Sequence, residues 1–456
     1  MDAEAGATAL RVSNIKVLSK THKPSDAAPD KRETRRTSPR PASLLCAGSS
    51  KENGILRPKT VRGANSAVIL QLLRQHRSMS RADLARRSGL TEGSISRITS
   101  GLIQRRLVRE DGAETSTGGR PGTRLRLDER RLGIGVEIRR SEIRVAAVTL
   151  SGRIVEVVSV ETPSKPGEAL AVTARCFQDF TERHGRSQVE GIGVSVGGIV
   201  NSQTGIVEFG NLPSWIGVPV QESLHQILKI PVQIDNNVRL AAIAEFHYGN
   251  LPEVRNSQSL LFVMVDDGVG TGIVLNGKLY SGPAHAAGEF GQMVISDDGG
   301  PAQLDRPGCL EQLASSAALC ERYFALIGKR TSAGGSDRQS RVRKVCQLAL
   351  GGDKAAAEAL TKTCRYLGIG LANVAWGLNS DTIVLDSPLN EAWPLVAKLI
   401  RDQFPREKEV VNFRHLIMLP SSLGGQATII GAATLPFQSL FTSGEPNHAA
   451  RQAKRS

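Results

Sequence analysis

Residues 80–103 read Ser80-Arg81-Ala82-Asp83-Leu84-Ala85-Arg86-Arg87-Ser88-Gly89-Leu90-Thr91-Glu92-Gly93-Ser94-Ile95-Ser96-Arg97-Ile98-Thr99-Ser100-Gly101-Leu102-Ile103, two helical patterns separated by a tight turn. Ser80 followed by Asp83 has the form of a capping box, in which a hydroxyl side chain accepts from the orphan N–H groups of a first helical turn. Leu84 and Ala85 point inward, and Gly89 ends that helix because glycine enters the left-handed conformation at little cost. Thr91 caps the next one. There Ile95, Ile98, Leu102 and Ile103 recur at helical spacing as one apolar face, which leaves Ser94, Ser96, Arg97 and Ser100 on the others. A short helix, a Gly-Leu-Thr-Glu turn and a second amphipathic helix make the layout of a helix-turn-helix, whose second helix enters the DNA major groove. Candidate DNA contacts here are Ser80, Arg81, Thr91, Ser94, Ser96, Arg97 and Ser100.

Upstream, Asn65 is a plausible cap for a further helix carrying Val68, Ile69, Leu72 and Leu73 on one face. Downstream, residues 107–110, the turn pair Asp111-Gly112 and the strictly alternating Thr123-Arg124-Leu125-Arg126-Leu127 predict a hairpin with leucines inward and Arg124 and Arg126 outward. This hairpin is a wing. Its tip, Gly118-Gly119-Arg120-Pro121, offers Arg120 to a narrow minor groove, although an ordinary surface loop has the same composition. A winged helix-turn-helix domain over residues 59–131 follows.

Charge agrees with that placement. The formal charge is +14, yet residues 1–131 hold 27 Lys+Arg against 13 Asp+Glu, and residues 132–456 hold 31 of each. A basic amino-terminal module on a neutral body points to a polyanion partner, because phosphate neutralisation dominates nucleic-acid affinity. Residues 1–58, rich in Lys, Arg, Ser and Pro, bury too little apolar surface to offset chain entropy and are expected to be a disordered basic tail. Their cluster at 31–40 either adds nonspecific DNA attraction or is passive. Cys46, Cys176, Cys309, Cys320, Cys346 and Cys364 contain no C-x-x-C pair, so neither a disulfide framework nor a zinc ribbon is written here. With no apolar run near the roughly 18 residues of a membrane span and no signal-peptide core, the sequence reads as cytoplasmic and not membrane-bound.

Beyond Arg131 strand-like segments at 133–137, 143–150, 154–160 and 191–196 enclose an amphipathic helix at 169–184, an α/β signature. Glycine-rich turns follow apolar strands at Val194-Ser195-Val196-Gly197-Gly198 and Asp266-Asp267-Gly268-Val269-Gly270-Thr271-Gly272. Such turns either bring backbone close to a ligand or are ordinary left-handed corners.

A winged helix-turn-helix followed by Gly191-Ile192-Gly193-Val194-Ser195-Val196-Gly197-Gly198-Ile199-Val200, Asn211-Leu212-Pro213-Ser214-Trp215, Ala287-Gly288-Glu289-Phe290-Gly291-Gln292, Gly308-Cys309-Leu310-Glu311, Leu423-Gly424-Gly425-Gln426-Ala427 and Gly431-Ala432-Ala433 resembles the ROK family of repressors and sugar kinases. The resemblance spans about residues 65–437. It implies a duplicated actin-like ATPase (ribonuclease H-like) fold over residues 132–440, with two α/β lobes, a sugar in the cleft, a homodimer or homotetramer, and a flexible tail at 441–456. By resemblance Asn211, Asn236, Asn237, Glu289, Gln292 and Glu311 are the sugar-binding candidates, since amides and carboxylates pair with vicinal hydroxyls.

The departures from the family pattern bear on activity. Where the family has an acidic residue and Ile-Gly-Gly-Thr, this chain has Glu137-Ile138-Arg139-Arg140-Ser141, too bulky for close phosphate approach. The family's Glu-Asn-Asp-Ala-Asn, whose Asp is the general base, becomes Asp235-Asn236-Asn237-Val238-Arg239. An amide at position 237 has no titratable group to take a proton. A Gly-Gly run near the nucleotide is replaced by Asp386-Ser387-Pro388. Of the family's four zinc ligands only Cys309 remains, the other three positions being Gln292, Ala302 and Leu304, with Asp305 at the motif's glycine. The expectation is a kinase-inactive, sugar-responsive DNA-binding regulator, a repressor of carbohydrate metabolism or transport genes, with operator DNA and a sugar effector as partners, no catalytic residue, no metal and no cofactor. A sugar kinase with a DNA-binding head, a ligand-blind scaffold and an activator are the competing readings.

Overall fold

The structure, a computed structural model, describes residues 58–113, 123–210, 212–297, 306–329, 338–405 and 413–443. The expected basic tail up to residue 57, the wing tip with Arg120, and Asn211 lie outside the described residues.

The amino-terminal head contains α1 (Pro58–His76), β1 (Met79–Ser80), α2 (Arg81–Ser88), α3 (Glu92–Gln104), β2 (Val108–Ala113) and β3 (Thr123–Leu127), with the strands in the antiparallel order β1-β3-β2. Ser80 caps α2 by accepting from the Asp83 N–H, Thr91 caps α3 from the Ser94 N–H, and Gly89 closes α2 at φ 71°. The first helix differs from its expected start: it begins at Pro58, and Asn65 lies within it. Proline suits that place because its φ is preset and the N–H it lacks would be unpaired in a first turn anyway. Leu73, Leu84, Ile95, Leu102 and Leu125 are buried at the head's centre, each stabilising it by about 1.5–3 kcal/mol.

The body comprises two five-stranded sheets. In the first lobe β4 (Leu132–Ile138), β5 (Glu142–Thr149) and β6 (Ile154–Glu161) form an antiparallel meander; α4 (Pro166–His184) leads to β7 (Val189–Val196), and after the hairpin β8 (Ile199–Asn201) and β9 (Ile206–Phe209) and helix α5 (Val220–Leu228) comes β10 (Val232–Asn236). The sheet order is β10-β7-β4-β5-β6, with β4, β7 and β10 parallel. Helices α6 (Asn237–Tyr248) and α7 (Pro252–Asn256) then lead to β11 (Ser259–Val265), β12 (Val269–Leu275) and β13 (Lys278–Tyr280), another antiparallel meander. Helices α8 (Leu310–Ala314), α9 (Ser316–Leu326), α10 (Arg338–Leu350) and α11 (Lys354–Leu378) precede β14 (Thr382–Asp386), and α12 (Trp393–Arg401) precedes β15 (Ile417–Pro420). The second order, β13-β12-β11-β14-β15, repeats the first, and β11, β14 and β15 are again parallel. A duplicated fold is therefore visible in strand order alone.

The closing helices cross over. Val238, Ala241 and Ala242 of α6 pack on Leu260, Phe262 and Val274 of the second sheet, whereas Ile429 and Ala433 of α13 (Ala427–Thr434) pack on Ala146 and Val148 of the first. Leu240 of α6 meets Ala432 of α13 between them. Finally α14 (Gln438–Ser443) returns to the head, where Leu440 and Phe441, with Phe437 and Leu150, complete the hydrophobic cluster around Leu70 and Leu73. Two boundaries need correction accordingly: residues 441–443 are the end of a helix with a buried Phe441 rather than a tail, and the head shares its core with the body instead of ending cleanly at 131. Among the described residues no helix is long and apolar enough to cross a membrane.

Candidate functional site

On the head, α3 turns its buried side, Ile95, Ile98, Thr99 and Leu102, toward the core and leaves Ser96, Arg97 and Ser100 exposed, together with Thr91 at its start. Ser94 is half-buried, its hydroxyl accepting from Thr91 at 2.9 Å. Other expected contacts are differently placed. Ser80 is 7% exposed, and its hydroxyl donates to the Asp83 carboxylate while accepting from the Asp83 N–H. It is a cap, not a free DNA donor. Arg81 pairs with Glu110 at 2.9 Å, and Arg126 faces Asp111 at 3.2 Å. Arg124 donates from Nε to Ser78 Oγ at 3.0 Å and from Nη2 to the Ser78 carbonyl at 2.6 Å. The alternation of β3 identified the outward residues correctly, but a long side chain on a small domain reaches its own backbone, so Arg124 serves the head rather than a ligand.

The start of α6 and the segments packed beside β12 bring Asn236, Asn237, Glu289, Gln292 and Glu311 into one neighbourhood, the place of the expected sugar cleft. Glu311 accepts from the Val269 N–H at 3.0 Å through one oxygen and lies 3.4 Å from Gln292 Nε2 through the other. Glu289 keeps contact with solvent, but its enclosure in the cleft, and secondly the Glu311 charge, push its carboxyl above the usual range, with Arg239 opposing. Asn236 is committed on both sides of its amide: the oxygen accepts from the Val238 and Arg239 N–H groups at 2.9 and 3.0 Å, and the nitrogen donates to the Gly198 carbonyl at 2.7 Å. Asn236 thus caps α6 and ties it to the glycine turn after β7, which corrects its assignment as a free sugar ligand. Asn237 donates weakly toward Met264 Sδ at 3.7 Å and is half-buried.

Beside them stands a pair that sequence reasoning did not assign a role. Arg239, 2% exposed, donates from Nε to Asp235 at 2.7 Å, and its Nη groups reach Asp235 again, the Val200 carbonyl at 3.2 Å and the His285 carbonyl. Burial pushes the Asp235 carboxyl up while Arg239 pulls it back. A four-residue Asp-to-Arg spacing at a strand end was the available signal, since only pairing makes a buried guanidinium tolerable.

The other end of the cleft is occupied by charges of the chain itself. Glu137, 3% exposed, binds Arg139 at 2.8 Å and Arg144 at 3.0 Å, and Arg144 also donates to the Gly425 carbonyl at 2.9 Å. Asp266 accepts from Gln339 at 2.9 Å and Asp267 pairs with Arg338. Asp386, at the end of β14, is pushed up to about 6 by burial and then by Glu245 and Asp266. Ser387 accepts from the Leu389 N–H, so the segment after β14 is a capped 3-10 turn. No group of three metal-ligating side chains occurs among the described residues.

Comparison with known proteins is consistent with this geometry. The ROK family profile matches residues 133–438 and the IclR helix-turn-helix domain matches residues 64–112. A putative xylose repressor of Caldicellulosiruptor sp. is 26% identical over 394 residues, covering 84% of this chain and 97% of its own. The transcriptional dual regulator NagC of Escherichia coli is 26% identical over 339 residues, 73% of this chain and 82% of its own. A solved ROK family transcriptional regulator, described as a homologue of the E. coli MLC protein, superposes with a TM-score of 0.68 at 24% identity over 87% of this chain and all of its own. A ROK glucokinase from Streptomyces griseus shares the body fold at a TM-score of 0.57 and 23% identity, over 67% of this chain and 99% of its own. With two lobes of repeated strand order, a helix-turn-helix head and a profile match over more than half its length, the chain belongs to the ROK family.

Proposed function

We propose that this protein is a sugar-responsive DNA-binding repressor of carbohydrate metabolism or transport genes that does not transfer phosphate. The observation carrying the reading is the solvent-facing row of Ser96, Arg97 and Ser100 on α3 of a helix-turn-helix head joined to a sugar-kinase-like body. Residues 59–131 act as the DNA-binding unit, with Thr91, Ser94, Ser96, Arg97 and Ser100 toward the major groove, Arg81 and Arg126 toward phosphates, and Arg120 at the wing tip. The relatives named putative xylose repressor and N-acetylglucosamine repressor support a sugar as effector.

Asn237, Glu289, Gln292 and Glu311, with Asn211, receive the sugar, while Asn236 holds the start of α6. Phosphoryl transfer is disfavoured because position 237 has no proton acceptor and Arg139, Arg144, Asp266 and Asp267 spend their charge on one another and their neighbours. Two copies present two recognition helices about one DNA turn, roughly 34 Å, apart. The operator is then pseudo-palindromic, and the assembly a homodimer or homotetramer. A sugar that binds the DNA-incompetent state better lowers operator affinity by that difference.

Fluorescence anisotropy on DNA from upstream of the protein's own gene tests the reading, with and without D-xylose, D-glucose and N-acetyl-D-glucosamine. Specific binding that one of these weakens is expected, and Arg97→Ala should weaken it by about 1–3 kcal/mol. Absence of specific binding, with ATP-dependent phosphorylation of any of the sugars, would overturn it.

A further inference from the structure

A single helix touches both functional regions. α6 starts in the cleft on Asn236 and Asn237 and ends 12 residues later at Tyr248, a rod of about 18 Å. At its far end His247 Nε2 meets Arg74 Nη2 of α1 at 3.2 Å, and Arg77, the residue after α1, donates to the Tyr248 carbonyl at 2.8 Å. The Arg74 guanidinium lies 3.9 Å from the centre of the Phe441 ring and 5.8 Å from that of Tyr248. Burial, and then the Arg74 charge, hold His247 well below its usual range, so its neutral ring accepts from the guanidinium. Just beyond α6, Arg255 donates to the Gln75 carbonyl at 2.8 Å.

Along its length α6 has little room to give. Its first turn is fixed by Arg239, and near its end the fully buried Glu245 accepts from the Ser421 hydroxyl at 2.7 Å and from the Ser422 and Leu423 N–H groups at 2.9 and 3.1 Å. A Cβ on Gly431 of α13 would run into the Leu240 backbone, and one on Gly272 of β12 would lie 2.5 Å from the Ala242 methyl. Backbone contacts of this kind cannot be absorbed by rotamer changes, so a push on one end moves the whole helix or none of it.

We propose that α6 is the element through which occupancy of the cleft reaches the DNA-binding head, and that Arg74 and His247 are the positioning residues of its joint with α1. This rests on the reading of the cleft as an effector site and of the head as a DNA reader. A group seated against Asn237 shifts the helix; the Arg74–His247 contact and the Arg77–Tyr248 bond carry the shift into α1, whose Leu70 and Leu73 share a core with α3.

The exchange measurement needs neither the natural sugar nor DNA. In the full chain Asn237→Trp forces the start of α6, and amide hydrogen exchange is read over residues 62–104 in the parent, in His247→Leu and in Arg74→Met. Asn237→Trp is expected to change exchange in α1 and α3 by between about twofold and thirtyfold, the span of coupling through such networks. That change should vanish in either joint variant and return in His247→Gln, which keeps an acceptor. An unchanged head in Asn237→Trp overturns the rod, and an undiminished response in both joint variants overturns the joint. Operator affinity, measured on the same proteins, separates the two readings: lack of DNA binding with intact exchange coupling sinks the repressor assignment alone. Melting temperatures identify any variant that fails to fold, for which Arg74→Lys, keeping the charge without the fork, is the substitute and should retain less than half of the response.

Discussion

The hairpins that open the two sheets hold the same topological place, and their turns are built from opposite chemistry. In the first lobe the turn between β4 and β5 is basic: Arg139 and Arg140 stand where small residues would admit a phosphate, and Arg139 returns to Glu137. In the second lobe the turn between β11 and β12 is acidic and rich in glycine, with Asp266 and Asp267 bound to Gln339 and Arg338, while the Val269 N–H is given to Glu311. Burial works against the charge on Arg139, but Glu137, Glu142 and Asp266 together more than restore it. Strand order therefore says nothing about what a turn binds. Small residues offer backbone N–H groups to a ligand, whereas a basic turn facing an acidic one offers its charge to the protein itself.

The contrast between the braced start of α6 and the self-paired turn after β4 can be broken by substitution. The largest effect belongs to Arg239→Met, which strands the buried Asp235 carboxylate and should cost about 3–5 kcal/mol in urea unfolding at neutral pH. Adding Asp235→Leu should recover most of that loss, and a cost near zero for Arg239→Met would remove the brace from the account. Glu137→Gln comes next, at about 2–3 kcal/mol, because two guanidinium groups lose their shared carboxylate but keep partial access to water.

Asp386 sharpens the same comparison through pH. Its folded carboxyl titrates at about 6 rather than at the ordinary 3.8, so folding takes up a proton between those values. That stabilisation is fully present below about pH 4 and is lost as pH rises through the folded value, an amount of about 1–2 kcal/mol after solvent screening. Unfolding followed from pH 5 to 7.5 should show the decline in the parent and a flatter profile in Asp386→Asn; parallel profiles would mean that the acidic cluster is not coupled to folding. The smallest effect is expected from Asn237→Asp. Restoring a carboxylate without clearing Arg139 and Arg140 from the phosphate turn should yield no ATP-dependent sugar phosphorylation, and measurable turnover would show that the phosphate side is still open.

Local patterns carried a great deal of this protein. The Ser80 and Thr91 caps, the Gly89 stop, the alternating burial of β3 and the segments that became β4 to β7 are short-range consequences of hydrogen-bond satisfaction and apolar periodicity, and they lie in the sequence within a residue or two of where the structure has them. Tertiary structure decided whatever depends on long side chains and distant strands. Arg124 looks outward in β3, yet it folds back on Ser78; Asn236 looks like a sugar ligand, yet its amide is consumed by the helix it caps and by Gly198; Phe441 looks like part of a tail, yet it completes a core begun near residue 69. Which of several partners a guanidinium, an amide or an aromatic ring takes is fixed by who else arrives in its neighbourhood, and that follows from burial and chain path rather than from neighbours in sequence.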